Sequence, residues 1–281
     1  MNTLIGDINT AFPPWVAIFF YTVLGLVFGS FTNVLIARIP EKESLNTRSK
    51  CPRCGKEIRW YDNVPVLAWF YLKGKCRNCD QPISWMYPAV ELFTGAMWLL
   101  ITVLTGANLI PSPFVAGLYI LMMLSIALAM IDFRTLTLPN KLVATFTIVA
   151  FAAVIAQILY ETFRTGVFPT YEALTALGAC AVYGVLYFAL WFISYGKWLG
   201  FGDVKLVPSL GLLAGFFGIA AAIIGFFAPF LIAGIPLAAL MFIGVLKRKT
   251  KVPFGPFLLI GVWVAILFSE PIANWYTQFL L

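Results

Sequence analysis

Eight long apolar runs, broken by one polar stretch near the start, leave few folds open to this chain. They span roughly 15–38, 86–106, 113–131, 142–160, 171–195, 206–222, 224–246 and 257–277, and the division inside 206–246 is the least marked. Each approaches the 20 or so residues that a helix needs to cross about 30 Å of hydrocarbon. A backbone in lipid must satisfy its own hydrogen bonds, and within a single segment only a helix does so. With 61% apolar residues, 11% charged residues and a mean hydropathy of +0.91, a soluble globular fold is excluded. The expected fold is an all-α polytopic membrane protein of about eight transmembrane helices, with a small four-cysteine zinc-binding domain inserted after the first.

The basic residues set the orientation, because cytoplasmic loops carry the excess of Lys and Arg. Segment 39–85 holds nine of them, Arg38 stands at its edge, and Arg134, Lys141, Lys197, Lys205, Lys247, Arg248, Lys249 and Lys251 fall in the other loops of the same side. Only Arg164 falls on the opposite side, so eighteen of nineteen basic residues share one face. Both termini are then expected outside, and 39–85 in the cytoplasm. The net charge of +7 reads as membrane topology and lipid headgroup contact rather than nucleic-acid binding, since the basic residues are spread through loops. Residues 1–14 carry Asp7 and no basic residue, so the first run is not expected to be a cleaved signal peptide. Three parts follow: the first helix in 1–38, the polar domain in 39–85, and the remaining membrane domain in 86–281.

Segment 39–85 contains an internal repeat. Cys51-Pro52-Arg53-Cys54-Gly55-Lys56-Glu57-Ile58-Arg59-Trp60 aligns with Cys76-Arg77-Asn78-Cys79-Asp80-Gln81-Pro82-Ile83-Ser84-Trp85, with Cys, Cys, Ile and Trp in register. Each half has the form of a zinc knuckle, in which Cys-x-x-Cys wraps a metal and a turn-tolerant Gly or Asp follows the second thiolate. The 21 residues between the pairs slightly exceed the common gap of about 15 to 20. Facing a reducing cytosol, Cys51, Cys54, Cys76 and Cys79 are expected to bind metal rather than form disulfides. The alternative, four unliganded thiols, leaves 47 residues with too small a core to fold alone. Four sulfur ligands fill a zinc ion, so its role would be structural. Cys180, alone in an apolar run, reads as a small buried hydrophobe.

The absence of His removes Ser-His-Asp and Cys-His triads and the H-E-x-x-H metalloprotease helix. Carboxylates or a Ser-Lys pair must carry any hydrolysis. Asp132 closes one apolar run and Asp203 stands before another, and an ionised acid against a bilayer costs several kcal/mol, roughly 2.5 or more, unless it meets a partner or water. Negative charge at a helix C-terminus opposes the helix dipole, so stability does not select Asp132. Its plain alternative is a pair with Arg134; that of Asp203 is an N-cap. Two facing carboxylates can share a proton, and mutual repulsion is expected to raise one of their pKa values. Gly200 and Gly202 flank Phe201 and are expected to permit positive φ, turning Asp203 inward. Lys205 would favour ionisation of Asp203 if it pointed into the same site, making Asp203 the base. Glu91 follows Pro88 into the membrane, as an anion near a helix N-terminus or as a polar contact shared with the cysteine domain. Gly25 and Gly29 form a G-x-x-x-G pair for close helix approach, and Asn33 is placed to bond a neighbouring helix. Val252-Pro253-Phe254-Gly255-Pro256-Phe257 cannot run as continuous helix and forms either a turn or a re-entrant wall beside the acids.

Taken together, the chain resembles the type IV prepilin peptidases, aspartic proteases of the GxGD class in the bacterial inner membrane. The motifs occur in that family's order over nearly the whole chain: the two Cys-x-x-Cys knuckles, Tyr87-Pro88-Ala89-Val90-Glu91 with Gly95, Asp132 followed by Leu138-Pro139, Gly200-Phe201-Gly202-Asp203-Val204-Lys205-Leu206, and Pro253-Phe254-Gly255-Pro256-Phe257. Asn140 departs from the pattern, since many members carry Asp after Leu-Pro. The resemblance implies removal of the short basic leader from type IV prepilins or type II secretion pseudopilins, after a Gly and at the cytoplasmic face, by Asp132 and Asp203. It also implies N-methylation of the new terminus with S-adenosylmethionine in many members, although no spacing in this sequence marks a methyl-donor site. Two other classes compete. Paired intramembrane acids also serve proton-coupled transporters, but no duplicated halves are evident here. A non-enzymatic zinc-domain scaffold leaves both acids unexplained. The oligomeric state is not legible.

The charge count generates a topology test. A cysteine placed at position 249 should react with a membrane-impermeant reagent only from the side that exposes 39–85; labelling from the opposite side overturns the orientation.

Overall fold

A computed structural model describes residues 13–106, 112–244 and 252–280. Nine α-helices follow in order among them: α1 (Pro14–Arg38), α2 (Leu67–Tyr71), α3 (Met86–Leu104), α4 (Pro113–Thr135), α5 (Asn140–Thr165), α6 (Thr170–Ile193), α7 (Phe201–Phe216), α8 (Ile219–Phe242) and α9 (Gly255–Leu280). A single 3-10 turn covers Trp60–Asn63, and the described residues contain no strand beyond two isolated bridges. Seven helices are long and apolar enough to cross a membrane: α1, α3, α4, α5, α6, α8 and α9. The chain is a multi-pass membrane protein. The basic cluster Lys247, Arg248, Lys249 and Lys251 lies outside the described residues.

The expected run 206–222 proves to be α7, which starts earlier and stops sooner. Gly218, at φ +100, turns the backbone between α7 and α8, so the two apolar runs divide there rather than near residue 223. At 16 residues α7 is about 24 Å long, short of the hydrocarbon thickness. From Asp203 to Phe216 every residue is buried except Lys205 and Pro208. Such a helix, buried on nearly every side, is the core of a bundle rather than a lipid-facing span.

Two compact units divide the chain, Met1–Ala127 and Leu128–Leu281. In the first, α1 and α3 pack closely because small residues face one another. A Cβ on Gly29 would lie 2.6 Å from the Cα of Glu91, and one on Gly25 would lie 3.0 Å from the Cα of Gly95. Trp98 fills the space beside them, stacked on Phe28 at 5.1 Å and tilted on Tyr119 of α4 at 4.8 Å. The Tyr119 hydroxyl shares a 2.8 Å hydrogen bond with Thr102. Asn33 donates to the Tyr87 carbonyl at 3.0 Å, the helix-to-helix bond its position suggested. In the second unit, α7 lies against α5, α6, α8 and α9. Gly211 permits the α6 contact, since a Cβ there would stand 2.6 Å from the Ala179 carbonyl oxygen.

These approaches leave no room for a side chain. Gly29→Val should lower stability by about 1–3 kcal/mol through overpacking against backbone, read as a drop in the thermal midpoint of detergent-solubilised protein. The exposed Gly178, where a Cβ would meet no atom within 4 Å, should accept Ala with little change.

Candidate functional site

The repeat in 39–85 folds as two matching knuckles. The Cys51 amide donates to the Lys56 carbonyl at 2.9 Å, and the Cys76 amide to the Gln81 carbonyl at 2.9 Å. Gly55 and Asp80 then turn back with φ of +70 and +53 and donate to the carbonyls of Cys51 and Cys76. Gly and Asp are the residues that tolerate this left-handed backbone. The four sulfurs of Cys51, Cys54, Cys76 and Cys79 come within 4.8 Å of one another. Sulfurs about 2.3 Å from a tetrahedral ion stand about 3.8 Å apart, and Cys51 and Cys79 are at 3.9 Å. The amides of Cys54 and Arg53 point at Cys51 and lower its thiol to about 6. At Cys79 the Gln81 amide is outweighed by burial and the neighbouring thiols, which raise it to about 12. Four thiols so close cannot all be thiolates without a cation among them, and a metal ion fits the set. Asp62 and Arg77 brace the region with a bidentate pair at 2.6 and 2.8 Å, and the Arg77 guanidinium holds Asp62 below the usual carboxylate range.

In the second unit two acids converge. Asp132 sits in the last turn of α4, and Asp203 is the third residue of α7; both are buried. The start of α9 lies against both. A Cβ on Gly255 would stand 2.8 Å from Asp132 Oδ2 and 3.4 Å from Asp203 Oδ1, so these two oxygens lie no farther apart than the sum of those distances. The Gly255 amide donates to Asp132 Oδ2 at 3.1 Å, and the Gly200 amide donates to Asp203 Oδ2 at 3.1 Å. Asp203 Oδ1 is buried with no hydrogen-bond partner among the described residues. It therefore faces the space at Gly255 and Asp132 with its acceptor sites open.

The neighbouring residues take roles that differ from the sequence expectation. Asp203 is not an N-cap. Gly200 holds that place, and the Asp203 carboxylate reaches back to its amide, as the third helical residue of a capping arrangement does. Neither glycine has positive φ: Gly200 is extended at φ −73 and Gly202 is helical. Space is the reason for Gly202, where a Cβ would lie 3.0 Å from the Leu138 Cβ. Lys205 does not point at the acids. It donates to Asn140 Oδ1 at 3.0 Å and lies 4.7 Å from the Phe201 ring centre. Residues two apart on a helix face different sides, which sends Lys205 away from Asp203. Glu91 belongs to the first unit, where its carboxylate accepts the Val66 amide at 2.7 Å. Gly255 lies in the 252–257 stretch that the sequence left as either a turn or a wall beside the acids; it begins α9 and stands against both of them, and what the sequence did not show is that its amide bonds Asp132.

Two family models match the chain. The Bacterial Peptidase A24 N-terminal domain covers residues 23–105, and the Type IV leader peptidase family covers 119–245, a span that contains both acids. Among the relatives are proteins named prepilin leader peptidase/N-methyltransferase. That of Klebsiella pneumoniae is 38% identical over 70% of this chain and 84% of its own. That of Bacillus subtilis (strain 168) is 31% identical over 92% and 97%, and that of Aeromonas salmonicida is 29% identical over 95% and 96%. No solved structure matches.

The sulfur cluster yields a direct test. Serine at any one of Cys51, Cys54, Cys76 or Cys79 should abolish stoichiometric metal binding, measured on protein purified reduced and without chelator. The same variants should expose 39–85 to protease before the membrane helices melt, because the metal supplies folding free energy to so small a domain.

Proposed function

The chain belongs to the type IV leader peptidase family, and on that premise we propose that Asp132 and Asp203 are the catalytic pair of an aspartic endopeptidase that removes the leader of type IV prepilins or type II secretion pseudopilins. The observation that carries this reading is the convergence of both carboxylates on the start of α9, with Asp203 Oδ1 buried and open. Two carboxylates so close hold one proton between them. The ionised member takes a proton from water as the water oxygen attacks the scissile carbonyl carbon. The protonated member hydrogen-bonds to the carbonyl oxygen, where negative charge develops. As the intermediate collapses, the C–N bond breaks and the leaving amine takes a proton from the dyad. Each acid has one backbone amide as support, so the proton is assigned to the pair rather than to one residue. Gly200 and Gly202 support Asp203 by the amide bond and by the close seat against Leu138. Lys205 holds the starts of α5 and α7 together through Asn140.

Zinc is the metal proposed for Cys51, Cys54, Cys76 and Cys79. A closed set of four sulfurs leaves no open position, so it would brace residues 39–85 and take no part in cleavage. N-methylation of the new terminus from S-adenosylmethionine is proposed on the relatives' names alone, and no seat for the donor is identified among the described residues. The proposed site of action is the cytoplasmic face of the bacterial inner membrane, where the basic-residue excess would put 39–85 and both acids. The three-part division at 38/39 and 85/86 is proposed with it.

Asn keeps the size of Asp but cannot exchange a proton. Asp132→Asn and Asp203→Asn should each abolish processing of a co-expressed type IV prepilin, and the double variant should be no worse than either single one, as expected of groups that act as a unit. Gly255→Ala should push Asp132 aside and lower the cleavage rate about 100-fold with the zinc content unchanged. Near wild-type processing by either Asn variant would sink the dyad.

A further inference from the structure

Within the first unit, α2 presents an apolar face that no part of the described chain covers. Leu67, Phe70 and Tyr71, spaced i, i+3 and i+4, are 68, 63 and 76% exposed. The patch continues past α2. Arg77 lies 5.7 Å from the Tyr71 ring and 5.5 Å from the Tyr61 ring, and Trp60 meets Tyr61 edge-on at 5.6 Å with 82% of its own surface exposed. Trp85 is also exposed, two residues past Ile83, whose carbonyl accepts the Trp69 indole N–H at 3.1 Å.

The height of this face is set by Glu91. Its carboxylate is buried in α3, five residues inside Met86 and so about 7.5 Å along the helix axis. It accepts the amide of Val66, the residue that opens α2. The backbone of α1 lies close against this turn of α3, since a Cβ on Gly29 would stand 2.6 Å from the Glu91 Cα. Val66 is held at φ +62 and ψ −53, in a tight turn closed by the Leu67 amide on the Pro65 carbonyl at 2.6 Å. A β-branched residue there is strained, and strain persists only where the surroundings enforce it. The start of α2 is thus tied to the first two turns of a helix long and apolar enough to cross a membrane.

We propose that the α2 face, with Trp60, Tyr61 and Trp85, rests in the interfacial zone of an anionic lipid leaflet and anchors the cysteine domain flat against the membrane. Trp and Tyr favour that zone, having an apolar body and a polar edge. Charge selects the same occupant. Segment 39–85 carries nine basic and five acidic side chains; Arg59 lies 5.8 Å from the Tyr61 ring and Lys73 and Lys75 follow directly on α2, while Arg77 is already paired with Asp62. Anionic headgroups attract that excess, whereas a second copy of the same basic face would be repelled.

The test uses the full chain with Phe70 replaced by photoreactive p-benzoylphenylalanine, in vesicles of roughly one phosphatidylglycerol to three phosphatidylcholine. Irradiation should give protein–phospholipid adducts, with phosphatidylglycerol enriched about threefold over its share of the bilayer. Lys73→Glu with Lys75→Glu should bring that enrichment down to the lipid's share. A cross-link to a second copy, or no lipid adduct at all, overturns the proposal, and unchanged enrichment in the charge-reversed protein overturns its charge basis. A second measurement avoids the unnatural residue. Brominated lipid should quench the fluorescence that Trp60→Phe removes, and a Trp60 signal untouched by it would place the face in water.

Discussion

Two backbone amides, one at the start of α7 and one at the start of α9, make a pair of buried acids tolerable in an otherwise apolar bundle. Each amide is one of the donors that a helix leaves unmatched in its first turn. Gly200 gives its N–H to Asp203 and Gly255 gives its own to Asp132. A hydrogen bond to a charged group contributes about 1.5–3 kcal/mol, and the positive end of each helix dipole adds to it. Among the described residues one oxygen of Asp203 is left without such support, on the side of Gly255 where Asp132 also stands. The arrangement therefore satisfies the acids enough for the fold to hold them and leaves one acceptor on Asp203 unmatched among the described residues.

Close backbone approach is what allows those two helix starts to reach the acids. Gly255 has no side chain because Asp132 occupies the place where one would go, and Gly202 has none because Leu138 does. Farther along α9, a Cβ on Gly261 would meet the Pro229 ring of α8 at 2.5 Å, so the same economy of side chains holds the two last helices together. In lipid no hydrophobic force drives apolar helices together, and van der Waals packing of this kind takes over that task. The short α7, buried over most of its length, is the consequence: packed among α5, α6, α8 and α9, it need not match the bilayer thickness.

The first unit solves a different problem, that of attaching a small polar domain to membrane helices. Arg38, at the end of α1, donates to the carbonyls of Ser44, Leu45 and Thr47 and so folds the chain leaving the helix. Glu91 ties the far side through Val66. Between these two attachments, the paired knuckles bring four sulfurs together from two halves of a repeated sequence. Charged side chains on spanning helices thus act as attachments for a domain whose own core is too small to orient it.

Patterns that depend only on spacing along the chain were legible in the sequence. Apolar runs, the excess of basic residues, the Cys-x-x-Cys repeat with its Gly and Asp turns, and two acids at the edges of apolar runs are one-dimensional facts, and each follows from a local rule of length, charge or turn geometry. Tertiary structure decided the rest, because the reasons lie in residues far apart in sequence. Lys205 reads as a neighbour of Asp203 until α7 is seen to begin at Phe201, when helical phase turns it toward Asn140. Gly200 and Gly202 suggest unusual backbone angles, yet their value is an amide and an empty volume set by Asp203 and Leu138. Gly255 is more than fifty residues from Asp203 and over a hundred from Asp132, and only the packing of α9 against α7 gives it a role. No local rule reports which two helix starts will face the same pair of acids, since that is a property of how the bundle closes.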